Sequence, residues 1–220
     1  MGYTLNFAVI WRNFDLLLAG LGLSLLLAVI SILIGVGIGL VTAFVLNGRA
    51  SMWRGIAVGY VAAIRNTPIL ILILFTYFAL PQLGVRLDKL QSFTLTLALY
   101  AGAYLAEVFR GALSAVPKGL REAGLAIGLT EWQIKTSIIA PVMLRNALPA
   151  LSSTFISLFK DTSLAAAIAV PELTFYARKI NNESFRVIET WTVTSLIYVA
   201  TCLILAALLR QFERRLAIPR

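Results

Sequence analysis

The chain contains no histidine and only one cysteine, Cys202. Without imidazole it lacks the usual acid–base group near neutral pH and the commonest metal ligand. A lone cysteine forms no intrachain disulfide, and in its apolar run it leaves the redox compartment unread. Charge is scarce as well. Of the 220 residues 13% are Asp, Glu, Lys or Arg and 60% are hydrophobic, against about 25% charged in a typical soluble domain. A mean hydropathy of +0.88 agrees: there are too few polar side chains to cover a water-facing surface, so lipid is the expected solvent. No stretch is both long and polar enough to fold as a separate water-soluble domain, and residues 1–220 are expected to form a single membrane domain.

What charge there is has one dominant sign. The formal net charge is +9 and the isoelectric point about 10.1. Nucleic acid is not the expected partner, because membrane proteins collect Lys and Arg in their cytoplasmic loops. Uncharged runs mark the spans of an all-α transmembrane fold, about five helices over residues 16–47, 55–80, 91–110, 145–170 and 190–210. The first run alone reaches ~50 Å at 1.5 Å per residue, more than a hydrocarbon core of about 30 Å requires. Nothing before it resembles a signal peptide, so it is expected to be a retained helix. Gly35, Gly37 and Gly39 inside it read as small residues for close helix packing rather than a nucleotide fingerprint.

The basic residues orient the spans. With the N-terminus outside, the inside segments hold Arg49, Arg54, Arg110, Lys118, Arg121, Lys135, Arg145, Arg210, Arg214, Arg215 and Arg220, and the outside segments hold Arg12, Arg86, Lys89, Arg178, Lys179 and Arg186. Eleven against six, with Arg65 and Lys160 inside spans, predicts N-out and C-in. The long loop 114–141 is then cytoplasmic.

That loop reads as a helical elbow. Pro117 suits a helix start, and Leu120, Ala123, Gly124 and Ile127 recur at helical spacing. Gly128 suits the left-handed residue that closes a helix. Thr130 and Gln133 form a capping box for a second helix, and Pro141 is expected to end it. At this length the loop exceeds an ordinary helix connection, and its small residues would let a partner protein approach closely.

Glu122-Ala123-Gly124, then Gly128, then Ile138 and Pro141 resemble the EAA motif of permease subunits in bacterial ABC importers, which reads EAA, three residues, G, nine residues, I-x-L-P. Gly124 stands for the second alanine and Ala140 for the leucine. Arg65-Asn66-Thr67-Pro68, the run Gly102 to Gly111, and Lys160-Asp161-Thr162-Ser163-Leu164 are similar to segments of the polar amino acid permeases of that superfamily. The resemblance covers residues 16–212. It departs from the family at Leu120, commonly glutamine, and at Val142-Met143, usually glutamine and alanine.

The resemblance implies a permease subunit that pairs with an identical or homologous permease and lines a translocation pathway with it. It further implies ABC ATPase subunits that use ATP-Mg, an extracytoplasmic substrate-binding protein, an amino acid substrate and a multi-pass place in the bacterial inner membrane, surrounded by lipid. No cofactor is expected on this chain, which lacks the G-x-x-x-x-G-K-[ST] phosphate loop. Glu122, Ala123, Gly124, Gly128, Leu129 and Thr130 are the expected ATPase contacts.

Charges at membrane depth are costly, by about 2.5–3.5 kcal/mol each on insertion scales. Lys160 and Asp161 are therefore expected to face a subunit interface or a wet cavity, where they hold substrate or bond to other spans, Glu107 or Arg65 being possible partners. Thr162 and Ser163 add hydroxyls beside them. Pro68 cannot donate to the Ile64 carbonyl, so Asn66 and Thr67 either line the pathway or satisfy that break. Arg65 completes the candidate set, and Glu107 with Arg110 reads as a local ion pair. The alternative to an importer subunit is a self-sufficient channel or secondary carrier, against which stand the elbow and the lack of an internal repeat. An intramembrane enzyme would need catalytic groups that are not there.

Overall fold

The computed structural model describes residues 3–48 and 52–216. Arg49 and Arg220, counted above among the inside cations, lie outside the described residues. A short helix α1 (Ala8–Arg12) leads into α2 (Phe14–Leu46), which is apolar on every side, as a lipid-facing span must be. The next expected span is not one rod: α3 (Met52–Arg65) and α4 (Ile69–Leu74), the latter prolonged to Leu83, meet at 105°. Pro68 forbids a ladder bond and pushes Thr67 away from helical geometry. The break is satisfied locally. Thr67 N donates to Ile64 O at 3.4 Å, so that carbonyl is not the free acceptor expected from the sequence. Asn66 Nδ2 donates back to the carbonyl of Ala62 and Thr67 Oγ1 to that of Ala63, both at 2.8 Å.

Helix α5 (Lys89–Ser114) opens on a capping box between Asp88 and Gln91 and forms the centre of the bundle. Along it α2 comes in on small residues: a Cβ on Gly35 would lie 2.6 Å from that of Ala101, and one on Gly39 would lie 2.8 Å from that of Leu105. Gly37 faces open space and takes no part in this packing. Three apolar clusters line the bundle from end to end, around Leu17 and Leu173, around Phe93 and Leu158, and around Phe109 and Met143.

After α5 come α6 (Lys118–Ala126) and α7 (Glu131–Gln133), and then a π-helical stretch, Ile134–Ile139, that runs into α8 (Ala140–Asp161). Pro141 does not end the second arm of the elbow, contrary to the sequence reading. It sits in the first turn after the widened π-helical stretch, where a ring without an N–H is accommodated. With its 3-10 continuation Thr162–Ile168 the helix spans Glu131–Ile168. Helix α9 (Leu173–Ser184) then precedes α10 (Val187–Leu216). α9 falls in what the sequence reading left as a connection; its buried Leu173, Ala177 and Ile180 hold it to the bundle. Four described helices are long and apolar enough to cross a membrane, and the bent pair makes a fifth crossing if counted as one.

Glu172 fixes α9. Its fully buried carboxylate accepts from the backbone N–H of Phe175 (2.7 Å) and Thr174 (2.9 Å), and from the hydroxyls of Tyr198 (3.2 Å) and Ser24 (3.4 Å). One side chain thereby ties α9 to α2 and α10. Burial pushes this carboxyl, which lies outside the spans, up to about 7, against the opposing pull of those hydrogen bonds.

Candidate functional site

Two features carry chemistry, the elbow at one end of the bundle and a pair of cavities deeper in. In the elbow, Gly128 takes φ +79°, the left-handed region open to glycine at no steric cost. Leu129 N bonds to Gly124 O and Gly128 N to Leu125 O, both at 3.0 Å, the paired pattern of a Schellman stop. Thr130 and Gln133 then cap the second arm reciprocally, with Gln133 N donating to Thr130 Oγ1 at 3.3 Å and Thr130 N to Gln133 Oε1 at 2.9 Å. Each such cap is worth about 1 kcal/mol. Arg121 on α6 forms an ion pair with Glu131 across the bend, and Gly124 is buried against Ile134.

The elbow is thus held by its own bonds while its outer side is bare. Glu122, Ala123, Gly128 and Thr130 are exposed and Leu129 is half-buried. Gly124 faces inward, so it serves the elbow's own packing rather than an outer surface. Two residues here depart from the sequence reading: Ile127, counted there with the periodic face of the first arm, and Trp132, not singled out, are each 74% exposed. A bare tryptophan on an ordered turn is a signal the sequence does carry, since Trp132 stands two residues after the capping Thr130.

The first cavity, of about 450 Å³, is lined by Arg65, Asn66, Tyr104 and Glu107 among apolar neighbours on α2 and α3. Arg65 closes α3, lies 5.2 Å over the ring of Tyr104 and 3.9 Å from Glu107. Glu107 also holds Arg110 at 2.6 Å, the local pair expected from their spacing. The second cavity, of about 350 Å³, is lined by Tyr100, Tyr104, Ser153, Thr154, Ser157 and Asp161.

Not every candidate side chain reaches a cavity. Arg65 and Asn66 share the first cavity and Asp161 enters the second. Lys160 points to the exposed side of α8, and among the described residues no ion pair joins it to Glu107 or to any other carboxylate. Thr67 turns to its own helix. Thr162 is buried and donates to Phe159 O at 2.6 Å, while Ser163 is half-buried. Residues 153, 157 and 161 recur at i, i+4 and i+8, a polar stripe that the sequence holds but that the adjacent charges of Lys160 and Asp161 obscured.

Over residues 32–218 the chain matches the family described as the binding-protein-dependent transport system inner membrane component. It belongs to that family. It is similar to the glutamine transport system permease protein GlnP of Escherichia coli, 36% identical over 97% of this chain and 98% of that protein. The L-cystine transport system permease protein TcyB of Bacillus subtilis is 34% identical over 97% and 94% of the two chains. Among solved structures, a chain in the crystal structure of an amino acid ABC transporter with histidines superposes with a TM-score of 0.90 at 30% identity, covering 97% of this chain and all of that one. The MetNI methionine ABC transporter, in an inward-facing form, shares the fold with a TM-score of 0.80 at 21% identity. The chain is an ABC importer permease subunit, a transport component of the inner membrane.

Proposed function

We propose that this permease subunit carries a polar amino acid across a bacterial inner membrane, lining the pathway with a second permease copy or homologue and driven by separate ATPase subunits. The observation that carries the coupling is the self-capped elbow whose outer side, with Glu122, Ala123, Ile127, Gly128 and Trp132, is left exposed by the described residues. A surface ordered at its own cost and left bare fits a groove in another protein. The substrate class is supported by the glutamine and cystine names of the relatives and by cavities that offer both signs of charge, Arg65 in one and Asp161 in the other.

The elbow then lies in the cytoplasm with the N-terminus outside, and a substrate-binding protein delivers the amino acid to the opposite face. From Glu131 to Asp161 the helix is continuous, ~45 Å at 1.5 Å per residue. ATP draws the two ATPase subunits together, each elbow follows its subunit, and the rod carries that displacement to the cavity at Asp161. ATP acts only through its different affinity for the two arrangements. The proposed ATPase contacts are Glu122, Ala123, Leu129, Thr130 and the bend at Gly128. The proposed pathway residues are Arg65, Asn66 and Asp161.

The test is purification of the membrane complex with its co-expressed neighbours, subunit and ligand identification by mass spectrometry, and uptake in proteoliposomes. Uptake that needs ATP and the binding protein is the expected result. Uptake by this chain alone would favour a channel or secondary carrier and overturn the reading.

A further inference from the structure

Both cavities have Tyr104 in their wall. The first lies nearer the elbow end, for it includes Leu46 at the close of α2 and Glu107 on the last turns of α5. The second lies further along α5, at Tyr100, facing Asp161 on α8. Between them the Tyr104 ring is held from two sides. The Arg65 guanidinium sits 5.2 Å over it, and the ring of Tyr100 packs at 4.7 Å, its hydroxyl donating to that of Tyr104 at 3.2 Å. Arg65 is also the last residue of α3, directly before the 105° break. Any change in that bend moves the guanidinium, and with it one of the two supports of the ring.

We propose that Tyr104 is a gate between the elbow-side cavity and the Asp161 cavity, and that Arg65 is its latch. The cation is attracted to the negative face of the ring, and a carboxylate competes for the same guanidinium with stronger, two-pronged bonds. Glu107 already stands within reach at 3.9 Å. A substrate carboxylate that reaches the ring from the Asp161 cavity, the side supplied by the binding protein, would be a second competitor. Drawing Arg65 off the ring frees Tyr104 to rotate, and the two cavities join. The gate rests on the pathway reading given above, but its test does not depend on which amino acid is carried.

Replacing Ser157, on the far side of the ring, by cysteine in a Cys202→Ser background gives a reporter in the second cavity. The assembled, nucleotide-free transporter is reconstituted, and a bulky, membrane-impermeant thiol reagent is applied from the elbow side. With Tyr104 present, modification of the cysteine is expected to be slow. Tyr104→Ala is expected to speed it at least tenfold and Arg65→Gln by a smaller factor, whereas Tyr104→Phe, which keeps the ring, stays near the parent rate. Equal rates in the parent and in Tyr104→Ala would overturn the gate, as would fast modification in the parent. Should Tyr104→Ala fail to assemble, Arg65→Gln decides alone: an unchanged rate overturns the latch. ATP-dependent uptake measured in the same vesicles separates failure of the gate from failure of the importer reading.

Discussion

A Cβ on Gly124 would stand 2.7 Å from Cγ1 of Ile134, which makes the contact of these two residues the hinge-pin of the elbow. The other near atoms, Ile134 Cδ1 and Ile138 Cδ1, are side-chain ends at 3.1 and 3.3 Å, whereas Cγ1 sits next to the branch point and yields less easily. Gly124→Ala, the residue the related motif carries, is therefore expected to require a shift of the buried Ile134, at a cost of about 1–3 kcal/mol. Gly124→Leu is expected to force the arms apart. ATPase-coupled uptake together with limited proteolysis across residues 118–133 reads the difference, and a leucine variant as protected and as active as the parent would count against the contact.

Gly128 poses a different problem, because open space surrounds it and only its backbone is demanding. A branched residue there costs about 1–2 kcal/mol in the left-handed region, whereas asparagine tolerates it. Gly128→Val is expected to leave the protein in the membrane but to uncouple uptake from ATP, and Gly128→Asn to retain most uptake. Equal behaviour of the two variants would show that conformation at the bend is not what matters.

Glu172 sets a pH dependence. Its carboxyl binds a proton more tightly in the folded state, at about 7, than the ordinary value of 4.5. Between those values the folded state holds more protons than the unfolded one, so stability falls as pH rises from about 4.5 through about 7 and levels off above. The full loss amounts to about 3 kcal/mol at most. Glu172→Gln, which stays neutral, is expected to flatten this part of the profile when melting of the purified complex is followed from pH 4.5 to 8. Profiles of the same slope in both proteins would remove Glu172 as the cause.

The glycines of α2 differ by their facing. Gly39→Leu drives a side chain into Leu105 and the backbone of α5 and is expected to abolish assembly. Gly37→Leu, which meets nothing, is expected to be neutral in the isolated subunit. Detergent-resistant yield of the two variants is the measurement.

The sequence alone determined the long apolar helices and the elbow, because each rests on local physics, and its motifs pointed to the family. Apolar runs set the helices, the Thr130–Gln133 cap lies three residues apart, and the bend needs only one glycine. Local rules also explain what went astray: Pro141 reads as a stop by its chemistry, and only the π-helical turns before it reveal a continuous rod. Adjacent in the chain, Lys160 and Asp161 looked like one charged site, yet a step of about 100° sends them to different surroundings. Only tertiary packing decided that Arg65, Tyr104 and Asp161 meet around two cavities. Those residues come from three helices far apart in sequence, and no periodicity within one helix encodes which face another helix will cover.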